Sequence, residues 1–309
     1  MEDAAVMTNI TKQLKILILG HGEMGHALQY LLKDQHQLII WERHPPQNEK
    51  PVVLEDAAAA ADVILFCLPV NPHLEIAERI KPHLKPGCLC LSIAKGLDEA
   101  GQTAAQIFSR CFSDKTPYVL MYGPMISEEI RVGRNAFAQL GYHEQDSWQT
   151  IHALFQDTAL YLEPTKNITG ISWSVILKNV YAMIFGMADE LQLGDNMRGY
   201  LAVTALQELE QIVIQIGGNA GSPYHLAGLG DLITTATSAG SHHHELGRML
   251  ARGEHENISG EGVHTLQMVE KYQLFAWPEF SLFKLIHDIV QHPEDVRGKI
   301  NHYLATVYC

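Results

Sequence analysis

The chain has 309 residues, 47% of them hydrophobic, with 22 Lys and Arg against 35 Asp and Glu. The length suffices for one large domain or two ordinary ones, each with its own core. A formal charge of −13 argues against a general binder of nucleic acid or of anionic membrane. A small anionic substrate needs only a local positive site.

The opening MEDAAVMTNITKQ carries two early acids and no apolar h-region, so it reads as a loose tail over 1–13 and not as a signal peptide. LKILIL (14–19) is a short apolar run ended by glycine, as expected of a buried parallel strand. A helix follows over about 26–33, then a second strand, QLIIW (37–41). The run AAAAADVILFCLPV (57–70) is too short to span a bilayer, and Asp62 breaks it. Within it, DVILFCLP (62–69) is a third strand. CLCLSIAKG (88–96) is a fourth, and YVLMYGP (118–124) a fifth. HLEIAERIKPHL and GQTAAQIFSRCF, between them, have helical spacing. The alternation implies a parallel sheet with helices on both faces. NAFAQLGY (135–142) and ALYLEPT (159–165) read as closing strands around the helix SWQTIHALF.

After about residue 166 strand signals fade, and runs such as ISWSVILKNVYAMIFGMADEL and YLAVTALQELEQIVIQI keep a helical period. The expected fold is α/β plus all-α. An N-terminal Rossmann-like parallel-sheet domain over 14–165 precedes a helical C-terminal domain over 166–309. The five cysteines, Cys67, Cys88, Cys90, Cys111 and Cys309, have no metal-ligand spacing. Buried reduced thiols in a cytoplasmic protein are the simplest account.

GHGEMG fits G-x-G-x-x-G at Gly20, Gly22 and Gly25, after a strand and at the opening of a helix. The glycines permit a tight turn, close approach of a pyrophosphate and close helix–strand packing, with the helix N-terminus facing the phosphates. Glu42 and Arg43 follow the second strand, where the adenosine ribose is read. Glu42 would accept from a 2′-hydroxyl and favour NAD. Arg43 could stack on adenine or bind a 2′-phosphate and favour NADP, or be a solvated surface charge. Either NAD or NADP is therefore expected.

Lys95, in AKG, stands at the end of the fourth strand, along the edge where ligands of open parallel sheets gather; the plain alternative is an ordinary strand-end lysine. Lys178 is the only basic residue between Asn167 and Met197. Its helical neighbours are Val175, Tyr181 and Ala182, with Ile171 and Phe185 on the same stripe. Burial there would lower its pKa into the range of a general acid or base; the alternative is a lysine whose amine snorkels to water. In HLAGLGDLITTATS (225–238), Asp231 could hold a lysine ammonium or a substrate hydroxyl, or cap the helix that follows.

With these residues in place the chain resembles the NAD(P)-dependent glycerol-3-phosphate dehydrogenase family, from about residue 14 to 270. The order of GHGEMG, AKG, YGP, LKN, GLGDL and GEG matches that family. The resemblance implies an enzyme of glycerophospholipid metabolism that interconverts dihydroxyacetone phosphate and sn-glycerol 3-phosphate. It makes Lys178 the proton donor or acceptor and sets Lys95 between cofactor and substrate. Asn179, Asp231 and Thr235 fall on active-site positions and Gly123 on a turn at the substrate. Glu261, with Gly262, falls near the nicotinamide.

Three departures stand out. Family members usually carry Ser-Arg-Asn where this chain reads Ser241-His242-His243, and the arginine binds the substrate phosphate. Met125 replaces a small residue. Glu23 and Met24 stand where a serine and an aromatic are common in the cofactor loop, and Glu23 is unfavourable beside a pyrophosphate unless it points away. The run SHHH reads as an altered anion site, a surface run, or a metal cluster lacking regular ligand spacing; no metal is expected. The alternatives in function are a divergent dehydrogenase of another small hydroxy compound and a non-catalytic dinucleotide-binding protein. The expected partner is a small phosphorylated substrate, with no nucleic acid and no membrane insertion. A homodimer rests on the apolar surfaces of the helical domain alone.

Overall fold

The computed structural model describes residues 13–46, 50–112, 116–238, 240–254, 256 and 258–308. The tail expected over 1–13 lies outside these except for Gln13, as does Cys309. Strands β1 (Lys15–Leu19), β2 (Gln37–Trp41), β3 (Val63–Phe66), β4 (Leu89–Ser92), β5 (Tyr118–Tyr122), β6 (Ala136–Tyr142) and β7 (Leu160–Thr165) form one sheet in the order β2-β1-β3-β4-β5-β6-β7. β3 and β4 are apolar apart from Ser92 and buried at every position, as strands covered on both faces must be. Helices α1 (Glu23–Leu32), α2 (Leu54–Ala60), α3 (His73–Ile80), α4 (Ala104–Phe112), α5 (Ser127–Arg131) and α6 (Gln145–Leu154) join them.

Two sequence expectations are corrected. The first helix begins at Glu23, directly after Gly22, so Glu23 and Met24 occupy its first turn. The sheet is not wholly parallel, because β6 pairs antiparallel with β5. The connection from β5 to β6 carries only the five residues of α5, packed on α1, and no helix that crosses the sheet; β6 therefore folds back beside β5. Gly123 allows that return, since a Cβ there would lie 2.4 Å from the Phe137 carbonyl oxygen.

After β7 the described chain is helical. α7 (Ile168–Glu190) and α8 (Asp195–Gln215) are followed by one π-helical turn (Leu226–Gly230). Then come α9 (Asp231–Thr237), α10 (His242–Ala251), α11 (Glu261–Tyr272), α12 (Ser281–Gln291) and α13 (Val296–Tyr308). Asn167 caps α7 by accepting from the Gly170 amide. α7 is long and apolar enough to cross a membrane by length and composition, but 94% of its most apolar window is buried inside the protein. It is the axis around which the other helices pack, and its core runs on into one face of the sheet.

Close approach to α7 is achieved with glycines. A Cβ on Gly186 would lie 1.9 Å from the His244 carbonyl oxygen, and one on Gly247 would lie 1.9 Å from that of Met183. α7 and α10 therefore cross backbone to backbone, which brings the N-terminal turn of α10 beside the middle of α7. Gly262 does the same for α11, where a Cβ would lie 2.8 Å from the Asn179 carbonyl oxygen. Cys88, Cys90 and Cys111 are buried free thiols and Cys67 is half-buried; burial pushes Cys67 and Cys88 up to about 12.

Candidate active site

The cleft between the sheet edge and the helices is a pocket of about 510 Å³ whose lining includes Lys95, Lys178, Asn179, Asp231, Thr235 and Glu261. Lys178 projects from α7 toward α9, and only 4% of the residue is exposed. Its ammonium lies 3.1 Å from Asp231 Oδ2 and donates to the Thr235 hydroxyl. Thr235 donates in turn to the Asp231 carbonyl oxygen, 2.7 Å away. Lys95, in the loop beyond β4, reaches the same Asp231 Oδ2 at 2.8 Å and donates to the Gly123 carbonyl at 3.3 Å.

Burial lowers the Lys178 pKa from 10.5 to about 8 against the pull of Asp231, and the charge of Lys95 lowers it further. Burial works against the charge of Asp231, yet the two ammonium groups keep its carboxyl below the usual range. Asp231 is thus not an N-cap: the π-helical turn runs straight into α9, and the carboxylate is buried between two lysines. The snorkelling alternative for Lys178 is likewise overturned.

Asn179, next to Lys178 on α7, donates from Nδ2 to the Lys95 carbonyl oxygen and to Glu261 Oε2, each at 3.2 Å. Its Oδ1 is buried without a partner among the described residues. Glu261 stands in the first turn of α11. Burial raises its pKa, which Lys95 and Lys178 oppose. One amide therefore ties the loop after β4 to α7 and α11.

The glycine turn follows β1, between β1 and β3, where the chain's strand order reverses and ligands of open sheets bind. Gly20 has φ +90 and packs on Leu68, where a Cβ would come within 2.6 Å of Cδ2. A Cβ on Gly25 would lie 2.2 Å from the Gly20 carbonyl oxygen, so the helix closes on the turn. A Cβ on Gly22 would meet nothing within 4 Å, and no side chain caps the first amides of α1. This open cradle with free N–H groups fits a pyrophosphate.

Family models described as the N-terminus and the C-terminus of NAD-dependent glycerol-3-phosphate dehydrogenase match residues 50–147 and 167–301. The chain belongs to the NAD-dependent glycerol-3-phosphate dehydrogenase family. The chain is 27% identical over 308 residues to the glycerol-3-phosphate dehydrogenase [NAD(P)+] of Synechocystis sp., covering 95% of each chain. It is 32% identical over 267 residues to that of Synechococcus sp. (strain RCC307), covering 83% of this chain and 85% of the relative. The solved glycerol-3-phosphate dehydrogenase of Coxiella burnetii shares the fold at a TM-score of 0.80 with 21% identity, over 94% of this chain and 99% of that one.

In this member of the glycerol-3-phosphate dehydrogenase family the three histidines have three separate surroundings. Ser241 caps α10, its hydroxyl accepting from the His244 amide, and it also lines the pocket. His242 is exposed at the pocket rim and donates from Nε2 to the Ser259 carbonyl at 2.9 Å. His243 faces inward, its Nε2 buried without a partner among the described residues. Burial, then the charge of Lys178, lowers its pKa to about 3, so it is neutral. His244 binds Asp189, which also holds Arg198. No arginine stands among the described residues lining this pocket, and Met125 lies buried in its wall.

Glu23, in the first turn of α1, pairs with Arg131 at 3.1 Å and accepts from Ser127 at 3.3 Å, so its charge is met by a partner. Met24 packs on the core beneath. Arg43 lies at the mouth of a second pocket and pairs with Glu75. Sequence reasoning missed Glu75 and Arg131. Both are ordinary surface charges on short helices, and only the folded chain brings them to the cofactor edge.

Proposed function

We propose that the chain interconverts dihydroxyacetone phosphate and sn-glycerol 3-phosphate, with NAD or NADP as cofactor and Lys178 as proton donor and acceptor. The observation that carries this reading is the burial of the Lys178 ammonium against Asp231, at 3.1 Å and with a pKa brought down to about 8. When bound, the nicotinamide supplies or takes the hydride. An ammonium has three N–H groups. Asp231 and Thr235 engage two of them, which leaves the third for the substrate oxygen.

In ketone reduction Lys178 gives that proton as negative charge develops on the carbonyl oxygen. In alcohol oxidation the neutral amine takes it back. Lys95, held by Asp231 and the Gly123 carbonyl, adds a second positive charge for the oxyanion. Asp231 orients both lysines. Asn179 and Glu261 hold the cofactor-side loop against α7, and Asn179 Oδ1 offers an acceptor. Ser241, His242 and His243 line the end of the pocket that receives the rest of the substrate. The division at about residue 165 and a place in glycerophospholipid metabolism belong to the same proposal. β7 ends at Thr165 and α7 begins at Ile168, which supports the boundary.

Three observations favour a second reading, a dehydrogenase of a hydroxy compound without phosphate. The pocket has no arginine among its described lining residues, His243 is neutral, and Glu128 stands at its wall. Steady-state oxidation of NADH and NADPH against dihydroxyacetone phosphate and a panel of unphosphorylated hydroxyketones separates the two, with Lys178→Ala as control. Turnover of dihydroxyacetone phosphate, lost in the variant, supports the first. Turnover confined to an unphosphorylated ketone selects the second. Cofactor binding without any turnover overturns both.

A further inference from the structure

A pocket of about 440 Å³ opens beyond the C-terminal ends of β1, β2 and β3, with Trp41 as its floor and Leu68, Pro72 and Ile76 as walls. Leu68 is also the side chain on which Gly20 packs, so this pocket adjoins the pyrophosphate cradle on the side of β2. That is the adenosine side of a dinucleotide laid across the switch point. Two charged groups meet at its mouth. Arg43 Nη2, just past β2, lies 2.6 Å from Glu75 Oε2 on α3, and both side chains are about half exposed, at 49% and 53%. Arg43 is the only cation among the described residues lining this pocket.

We propose that Glu75 determines which dinucleotide the chain prefers, by holding Arg43 in an ion pair that favours NAD(H) over NADP(H). The inference rests on the dinucleotide reading of the glycine turn. A 2′-phosphate needs a guanidinium free to form a bidentate contact. Here one arm of the fork, Nη2, already donates to a carboxylate. Transferring it to a phosphate leaves Glu75 unpaired beside a new negative group, and like charges at that spacing oppose binding. A 2′-hydroxyl makes no such demand. It leaves the pair intact and finds carboxylate acceptors in Glu75 and in Glu42, the residue before Arg43.

The test measures dissociation constants of NADH and NADPH by nicotinamide fluorescence for the full chain and for Glu75→Gln and Arg43→Gln. A thermal melt confirms that each surface variant folds. Wild type binds NADH the tighter. Glu75→Gln tightens NADPH roughly three- to tenfold while NADH moves by less than about twofold. Arg43→Gln weakens NADPH more than NADH. Preference of wild type for NADPH overturns the inference. So does a Glu75→Gln variant that shifts both cofactors alike, or neither. Failure of wild type to bind either dinucleotide overturns the dinucleotide reading itself, a result distinct from binding that is indifferent to Glu75.

Discussion

Lys95 and Lys178 meet on one oxygen atom. Asp231 Oδ2 lies 2.8 Å from the first ammonium and 3.1 Å from the second. One carboxylate oxygen thus serves two ammonium groups that line the same pocket. Two ammonium groups held in place beforehand are most effective where negative charge develops during the reaction.

Lys178→Met keeps an unbranched side chain one atom shorter and removes the ammonium. The turnover number with dihydroxyacetone phosphate should fall by about 10²–10⁴. Cofactor affinity should stay unchanged, because the glycine turn lies on another element. Asp231 remains paired through Lys95, so the variant is not left with a bare buried carboxylate. Retention of near-wild-type turnover in a stopped assay would remove Lys178 from the proton path.

The lowered pKa of Lys178, about 8, fixes the sign of the pH dependence. Reduction of the ketone uses the ammonium, so its rate should be level below pH 8 and decline above it. Oxidation of the alcohol uses the neutral amine, so its rate should climb through pH 8 and level off. Profiles of the turnover number in both directions check this, and the two limbs should cross near the same pH. A limb near pH 10.5 would mean that burial has not tuned the amine.

His242→Arg restores a permanent bidentate donor at the exposed rim of the pocket. If the substrate carries phosphate, its KM should fall by roughly tenfold with little change in the turnover number. His243 is neutral far below physiological pH, so His243→Asn should leave the pH profile of KM as it was. Steady-state runs from pH 5.5 to 8 measure both, and an unchanged KM in His242→Arg would place the substrate's tail elsewhere.

Gly186→Ala and Gly247→Ala each drive a methyl group into the facing helix backbone, at 1.9 Å in both cases before relaxation. Each should cost about 2–4 kcal/mol of stability. Activity should fall further than the melt implies, since separating α7 from α10 also moves His242 and His243 from the pocket. A denaturation midpoint equal to wild type would contradict the close crossing.

The centre of the sheet was legible in the sequence because β1, β3 and β4 are covered on both faces and read as apolar runs. The turn at Gly20, Gly22 and Gly25 was legible because each glycine has a separate steric task. Reversal of β6 was not, since strand direction depends on how the connection packs and leaves no trace in the strand's own pattern. Lys178 could be singled out as a lone cation on an apolar helix, and Asp231 as a carboxylate able to hold a lysine ammonium, but helix capping stood beside that reading. Asp231 at a helix start looks like any capping aspartate until the π-helical turn buries it. The fates of Glu23 and Arg43 were hidden for the same reason: Arg131 and Glu75 become their partners only through tertiary contact.

The shared carboxylate also binds the reaction to the integrity of the whole polypeptide. Lys95 is delivered by the strand layer, whereas Lys178 and Asp231 come from the helices beyond Thr165. Severed after β7, the front piece would retain a nucleotide cradle whose lysine has lost its counter-ion. The rear piece would retain a charged pair with no hydride source. Mixing the two fragments restores chemistry only if they reassemble, so complementation of split halves would report directly on that junction.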